Sequence, residues 1–352
     1  MRPNLIISSL TSAALVVAAT SPSASPTPKY APVPSEAVGP PVSKATGYRV
    51  EVFGSGAYMI TDGIYQALFF VGGDSVVVVD APPTIGHNML KGIGTVTDLP
   101  ISHLVYSHAH ADHIGAAYLL NGPNTTIVAH EETLSELQQI NDTNRPAPNL
   151  TFPKDFNLTV GNQTLNLSYK GPNHQPGNIF IYAPVQKTLM LVDIVFPGWV
   201  PFDQLGESQN IPGFIKAHDQ ILDYDFDHYI GGHLNRAGTR QDVLNQRDYV
   251  HQLYNNCAET INLSAAPPNA SNPLSIQTSL ASIMASDPGN QWALFDVYVE
   301  DVVAAYCANK MKEVWLGRLG GLDVYVKANA ATMIASLRID FGILGPFGVQ
   351  DG

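Results

Sequence analysis

The chain has 352 residues, with 18 Lys+Arg against 30 Asp+Glu for a net charge of −12, and only 14% of its positions are charged while 45% are hydrophobic. An acidic chain without a long basic run lacks the positive footprint that attracts phosphate backbones and anionic lipid surfaces, so neither nucleic acid nor membrane is an expected partner. The apolar fraction is that of a large packed core, and the shortage of charge asks for another source of surface solubility.

In chain order, Arg2 precedes an apolar run over 5–19 that ends in Val17-Ala18-Ala19, the small-residue pattern of a cleavable signal peptide. The run is shorter than the roughly 20 residues that a bilayer span needs, so cleavage and secretion are expected. Residues 20–47 hold seven prolines among Ser, Ala and Val and read as an extended linker. The folded body is expected over 48–240, followed by a helical extension over 241–352. Short apolar or alternating runs predict strands over 48–53, 57–61, 67–71 and 75–80. A helix over 84–96, a strand over 101–106, a short helix over 114–120, a strand over 127–129 and a helix over 131–139 follow, which is α/β alternation. A second antiparallel run covers 150–169 and continues through 178–182 and 188–192. The stripe Ile211, Phe214, Ile215, His218, Ile221, Leu222 predicts a helix over 211–222, before a last strand at 228–230. Beyond Thr239 the pattern is helical to about Leu319. Within it, 292–312 is apolar on all sides, which suggests a buried or dimer-forming element, so a homodimer is expected. Two strand-rich blocks, each followed by helices, imply two β-layers covered outside by helices.

Eight N-x-[ST] sequons, at Asn124, Asn141, Asn149, Asn157, Asn162, Asn166, Asn262 and Asn269, exceed chance placement and agree with a secreted glycoprotein. Cys257 and Cys307 are the two cysteines. In an oxidising compartment they can pair, tying two helices together, or stay as buried thiols; with no C-x-x-C they cannot build a thiolate zinc site.

The densest chemistry is Ser107-His108-Ala109-His110-Ala111-Asp112-His113, at the junction of a strand and a helix start. Three imidazoles and a carboxylate within six residues are ligand types that Zn²⁺ accepts. His108 and His110 point the same way in extended chain, where side chains alternate, and Asp112 and His113 follow on the turn toward a second ion. Of the other histidines, His103, His87, His130, His228 and His251 read as ordinary structural residues. His218 keeps a residual claim on the site. Pro197 to Phe202 forms a loop rich in aromatics and proline, whose Trp199 and Phe202 read as an apolar substrate wall.

This motif resembles the signature of the metallo-β-lactamase-fold hydrolases, and the resemblance extends in order from about Tyr48 to Gly238. Asn173-His174-Gln175-Pro176-Gly177-Asn178 is similar to the family's third-histidine turn, Val192-Asp193-Ile194 to its bridging carboxylate, and Gly231-Gly232-His233 to its last histidine. Asp80 resembles an early Asp that hydrogen-bonds ligand residues. The resemblance implies an αββα sandwich with two Zn²⁺ at one edge. His108, His110 and His174 would hold the first ion, Asp112, His113 and His233 the second, and Asp193 both. It also implies a hydroxide nucleophile activated between the ions, with Asp112 relaying a proton. His110 stands where redox members carry an acid, the basic surface of nuclease members is absent, and zinc β-lactamases lack a carboxylate at the position of Asp193. The expected function is therefore a secreted dinuclear zinc hydrolase of a neutral or apolar lactone or ester. β-Lactam or thioester cleavage is the alternative, and a catalytically silent metal- or ligand-binding protein is a reading of another class.

Overall fold

Strand order in the computed structural model, which describes residues 29–269, 272–286 and 288–349, separates two sheets. The signal peptide expected over 1–19 lies outside the described residues. The first sheet runs β1 (Arg49–Gly54), β2 (Ala57–Thr61), β3 (Gln66–Val71), β4 (Val76–Val79), β5 (Ile101–Val105), β6 (Thr126–His130) and β7 (Leu150–Phe152). It is antiparallel from β1 to β4 and parallel from β4 to β7. The second sheet contains β8 (Asp155–Val160), β9 (Gln163–Ser168), β10 (Phe180–Ala183), β11 (Thr188–Met190) and β12 (His228–Ile230), with β11 and β12 as a parallel pair at one edge.

The alternation of buried and outward residues explains the layers. Along β8 and β9, Leu158, Val160, Leu165 and Leu167 are buried, and Asn157, Thr159, Thr164 and Asn166 face outward, so this sheet buries one face on its partner. All four valines of β4 are buried because that strand is covered on both faces. Between the sheets lie Leu68, Phe70, Val77 and Val105 from one side and Leu165, Ile181, Met190 and Val192 from the other. Outside the first sheet, Phe69, Val78 and Leu104 pack with Met89 of α1 (Asn88–Gly94), Ile114 of α2 (Ala111–Ile114) and Leu137 of α3 (Glu131–Ile140).

Outside the second sheet, α4 (Asp203–Glu207) is a single turn wound left-handed, and α5 (Ile211–Ile221) and α6 (Arg240–Ala265) follow. Thr239 and Asp242 close the start of α6 in a reciprocal capping box. The chain continues through α7 (Ile276–Ser286), α8 (Gln291–Val297), a π-helical segment Tyr298–Ala304, α9 (Ala305–Trp315) and α10 (Leu322–Ile339). Phe180, Leu189 and Tyr229 of the sheet meet Phe214, Leu253, Met311 and Met333 in this outer core. The αββα order is thus the observed one, and no helix of the described residues is long and apolar enough to cross a membrane.

Four expectations need correction. Residues 150–152 belong to the first sheet, parallel to β6, because the chain crosses from one layer to the other at Pro153-Lys154. The short helix at the histidine motif starts at Ala111, not at 114, so Asp112 and His113 sit in its first turn. Helix does not end near Leu319: Gly321 (φ 70°) is the left-handed cap from which α10 starts. Residues 31–40 of the expected linker are tied to the body. Ala31 N–H donates to Asp323 Oδ2 (2.6 Å) and Gly39 N–H to Asn235 Oδ1 (3.0 Å), bonds available to the free backbone groups of extended, proline-rich chain. In 292–312, Leu294, Tyr298, Val303 and Met311 are buried within the chain, and Trp292 is exposed.

Seven of the sequon asparagines are exposed and Asn166 is half-buried. The two cysteines are bonded to each other, joining α6 to α9.

Candidate metal centre

The donors gather in the segments that follow β5, β9, β11 and β12, three of them strands with a parallel neighbour, whose ends are where open α/β sheets present loops. The loop after β5 carries His108 and His110, and α2 carries Asp112 and His113. The loop after β9 carries His174, Asp193 follows β11, and His233 follows β12. His108, His110, His174 and Asp193 form one group whose ligand atoms lie within 4.8 Å of one another, and Asp112, His113 and His233 form a second.

Asp193 stands between the groups. Its Oδ2 is 3.0 Å from His113 Nε2, 3.2 Å from His174 Nε2 and 3.6 Å from His108 Nε2, and its Oδ1 is 2.9 Å from His233 Nε2. Asp112 Oδ2 lies 3.3 Å from His113 Nε2 and 3.8 Å from His233 Nε2.

Backbone bonds fix the histidine loop. Asp80 Oδ1 accepts from Ser107 N–H (2.8 Å), Gln175 Oε1 accepts from Ala109 N–H (3.0 Å), and the Arg145 guanidinium donates to Ala109 O (2.7 Å). Asp80 thus acts through the chain beside His108 and not through a ligand ring. Ser107 Oγ pairs with His108 Nδ1 (3.0 Å), leaving Nε2 toward the site. Asn178 Nδ2 donates to Val192 O (2.8 Å) and Asn173 Oδ1 (2.9 Å), linking the His174 turn to the strand before Asp193. Asp80 (φ 62°) and Asp193 (φ 63°) both take the left-handed conformation that Asp tolerates better than most residues. Gly232 (φ 86°) is required on another ground: a Cβ there would lie 2.6 Å from Val192 Cγ1 and 3.0 Å from His113 Cε1.

The electrostatics fit a cation. Burial, reinforced by the neighbouring rings, holds His108 well below the usual histidine range, and burial takes His174 down to about 4. Burial alone would also depress His113, yet Asp193 and Asp112 outweigh it and raise that ring well above the ordinary value. Burial opposes ionisation of Asp193, but His113, His174 and His233 keep its carboxyl well below the carboxylate range. Asp112 falls to about 2 against its own desolvation, through His113. Asp80 is pushed up to about 6 by its burial, which outweighs the opposing pull of His113 and of the Ser107 bond. His108 Nε2, both ring nitrogens of His113 and Asp193 Oδ1 are buried without a well-aligned hydrogen bond, the Nε2 atoms and the Asp193 carboxylate held only at contact distance from one another's groups. Imidazole nitrogens and carboxylate oxygens converging on ionised carboxylates are a donor set for a divalent metal ion.

A cavity of about 470 Å³ opens over this cluster. His110, Asp112, His174, Asp193 and His233 form its floor, Tyr65, Phe196 and Phe202 one wall, and Asp203, Gly206 and Glu207 of α4 another. Phe202 lines it as expected. Trp199 does not: its ring packs on Gly320 and Gly321, where any Cβ would come within 3 Å of it, and its indole N–H donates to Ala37 O. Tyr65, Phe196, Asp203 and Glu207 carry no signal in the sequence. Tyr65 reaches the site because Gln66 N–H donates to Gly232 O and Leu234 N–H to Ile64 O, placing its ring 4.7 Å from that of His233. Residues 204–207 all have positive φ (52°, 59°, 67° and 54°), at a cost of about 1–2 kcal/mol for each non-glycine residue.

His218 is not a ligand. Its Nδ1–H donates to Phe214 O (2.9 Å), and Gln246 Nε2 donates to its Nε2 (2.9 Å) and to Ile194 O (2.6 Å). Burial lowers it to about 4. A proton on Nε2 would break the Gln246 bond, so the folded state resists protonation that the unfolded state accepts near pH 6.5. Stability is therefore complete above pH 6.5 and falls between pH 6.5 and 4, by about 3 kcal/mol for this group. Urea unfolding of wild type and H218Q across that window should differ in slope by about one proton, with the metal-site contribution cancelling in the difference; equal slopes would refute the assignment. The other structural histidines bond locally: His103 with Ser102, His130 with Pro153 O, and His228 stacked on Phe53.

The model of the Metallo-beta-lactamase superfamily matches residues 60–249, more than half of the chain. The alpha subunit of 2,4-dinitroanisole O-demethylase from Nocardioides sp. (strain JS1661) is 26% identical over 188 residues, covering 52% of this chain and 57% of that relative. The chain thus matches less than two thirds of that relative's length. Among solved structures, a metallo-beta-lactamase from Pontibacter korlensis superposes with a TM-score of 0.50 at 19% identity, covering 58% of this chain and 99% of that one. Metallo-beta-lactamase IND-7 gives 0.50 at 15% identity, covering 57% and 98%. At these identities the structures attest the fold, and the family match spans the strands and loops that deliver all seven donors: the chain belongs to the metallo-beta-lactamase superfamily.

Proposed function

We propose that the protein is a dinuclear zinc hydrolase acting on the carbonyl of neutral or apolar lactones and esters. The observation that carries this reading is Asp193, in contact with histidines of both donor groups at the floor of a cavity whose wall is aromatic. His108, His110 and His174 would hold one ion, Asp112, His113 and His233 the other, and Asp193 both. Zinc bound there supplies Lewis acidity and brings the ionisation of water near neutral pH.

The chain's own groups supply the rest. Asp112, ionised and partly open to the cavity, is placed to take a proton at its carboxylate and return it to the leaving oxygen. Tyr65, Phe196 and Phe202 exclude water and receive the apolar part of a substrate. No Lys or Arg lines the cavity among the described residues, and Asp203 and Glu207 stand on its rim. Away from the metal positions an anion meets no cationic side chain, which favours neutral esters over β-lactams that carry a carboxylate. The demethylase relative supports a second reading, cleavage of an aryl methyl ether against the same aromatic wall.

The test is a panel on zinc-loaded protein: an uncharged γ-lactone, a 4-nitrophenyl ester, a thioester, a chromogenic β-lactam and 2,4-dinitroanisole. Turnover of the lactone or ester at least tenfold above the β-lactam is expected. Cleavage of the anisole alone would replace this reading with the second. Binding of an apolar ligand with no turnover of any compound would make the protein a binder.

A further inference from the structure

We propose that Asn329, on α10 of the C-terminal extension, is a positioning residue for the cavity: it holds the left-handed turn α4 and so sets the wall that faces the donor cluster. Its consequence for turnover rests on the hydrolase reading; its geometry does not. Asn329 is fully buried and 124 residues distant in sequence from the backbone group it receives. Its Oδ1 accepts from Leu205 N–H (2.7 Å) and its Nδ2 donates to Pro201 O (2.9 Å). The two bonds grip the chain on either side of Phe202 and Asp203, which line the cavity.

A left-handed turn offers its backbone groups no continuing ladder, so it persists only where neighbours satisfy those groups. Inside the turn, Gly206 N–H donates to Phe202 O (3.0 Å) and Ser208 Oγ donates to Leu205 O (2.8 Å). Past the turn, Gln209 N–H donates to His174 O (2.8 Å), so the segment held by Asn329 ends on a donor residue of the cluster. A side-chain amide joins an acceptor and a donor on one rigid plane, as this grip needs; a carboxylate lacks the donor and an aliphatic chain lacks both. A second buried amide from the extension, Gln246, accepts from Phe196 N–H (2.8 Å) and donates to Ile194 O. The wall from 194 to 205 is therefore pinned at both ends by helices that follow the sandwich.

The experiment compares full-length, zinc-loaded wild type with Asn329→Leu, the milder Asn329→Ser, and Ser336→Ala. Ser336 is on the same helix, but its hydroxyl bonds Asp340. Hydrogen exchange of the peptide over 201–208, metal content, and kcat and KM on a 4-nitrophenyl ester are read for each. In Asn329→Leu, exchange over 201–208 should rise about 100-fold with metal content unchanged, and KM should rise about tenfold with kcat within threefold, the split expected when a binding wall loosens. Asn329→Ser should lie between, which keeps the test informative if the Leu variant does not fold. Ser336→Ala should shift none of these readouts. Unchanged exchange over 201–208, unchanged KM with accelerated exchange, or loss of metal would each overturn the proposal. A wild type that cleaves no ester would sink the hydrolase reading, with exchange still deciding whether Asn329 holds the turn.

Discussion

Replacing Asp193 with Ser should leave fewer than two tightly bound ions and lower kcat/KM by about 10³-fold or more, because a shared divalent centre contributes several kcal/mol and each 1.36 kcal/mol is a factor of ten. The carboxylate meets His108, His113, His174 and His233 at once, so its loss removes the group that joins the two donor sets. It also removes the negative charge that raises His113, leaving a crowd of buried imidazoles with one carboxylate, Asp112, toward the second position. The backbone at 193 should survive, since Asp193 N–H donates to Gly231 O and Ile194 O accepts from Gln246. The effect is then chemical and not a collapse of the loop. Metal analysis with steady-state kinetics checks it; two retained ions with full activity would remove Asp193 from the bridging role and with it the dinuclear reading.

The site was legible to the extent that metal chemistry concentrates rare residues. Three imidazoles and a carboxylate between His108 and His113 have no low-cost structural use, so the motif declares itself locally. His174, Asp193 and His233 do not: each is a lone candidate ligand in the segment after a strand, and order along the chain, by resemblance, joined them to the motif. The supporting groups were silent for a different reason. Arg145, Gln175, Gln246 and Asn329 act through backbone atoms, and which backbone atom a side chain meets is settled by packing between distant elements. Trp199 shows the converse failure. An aromatic in a loop near a donor suggests a substrate wall, but the glycine pair 320–321 lets its ring pack flat against the start of α10. The expected end of the helical region near Leu319 falls just before this pair, and a glycine that opens a helix looks in sequence like one that stops it. The layer change at Pro153 was hidden because short strand runs look the same on either sheet.

Removing both cysteines should cost about 4 kcal/mol of unfolding free energy, the loop-closure value for a loop of 50 residues. The bond joins α6 to α9 in the interior and closes a loop that carries α7, α8 and the π-helical segment. In the unfolded chain that loop would otherwise be free, so the effect acts chiefly on the unfolded state. Urea unfolding of the double variant Cys257→Ala/Cys307→Ala, and of wild type reduced under denaturing conditions, should show matching losses, with the variant indifferent to reductant. Replacing one cysteine alone leaves a buried thiol and a comparable loss. The bond also supports export, which we propose from the N-terminal apolar run and the sequons, because such bonds persist in oxidising compartments; protein recovered from the medium should then carry no titratable thiol. A wild type whose midpoint does not move on full reduction would contradict the bond and remove its support for export. Because α6 carries Gln246 and packs with α10, which carries Asn329, loosening this bundle should reach the cavity wall as well. In reduced protein at 25 °C the first functional sign should be a rise in KM that precedes the loss of metal, since the bundle grips the wall while the strands hold the donors.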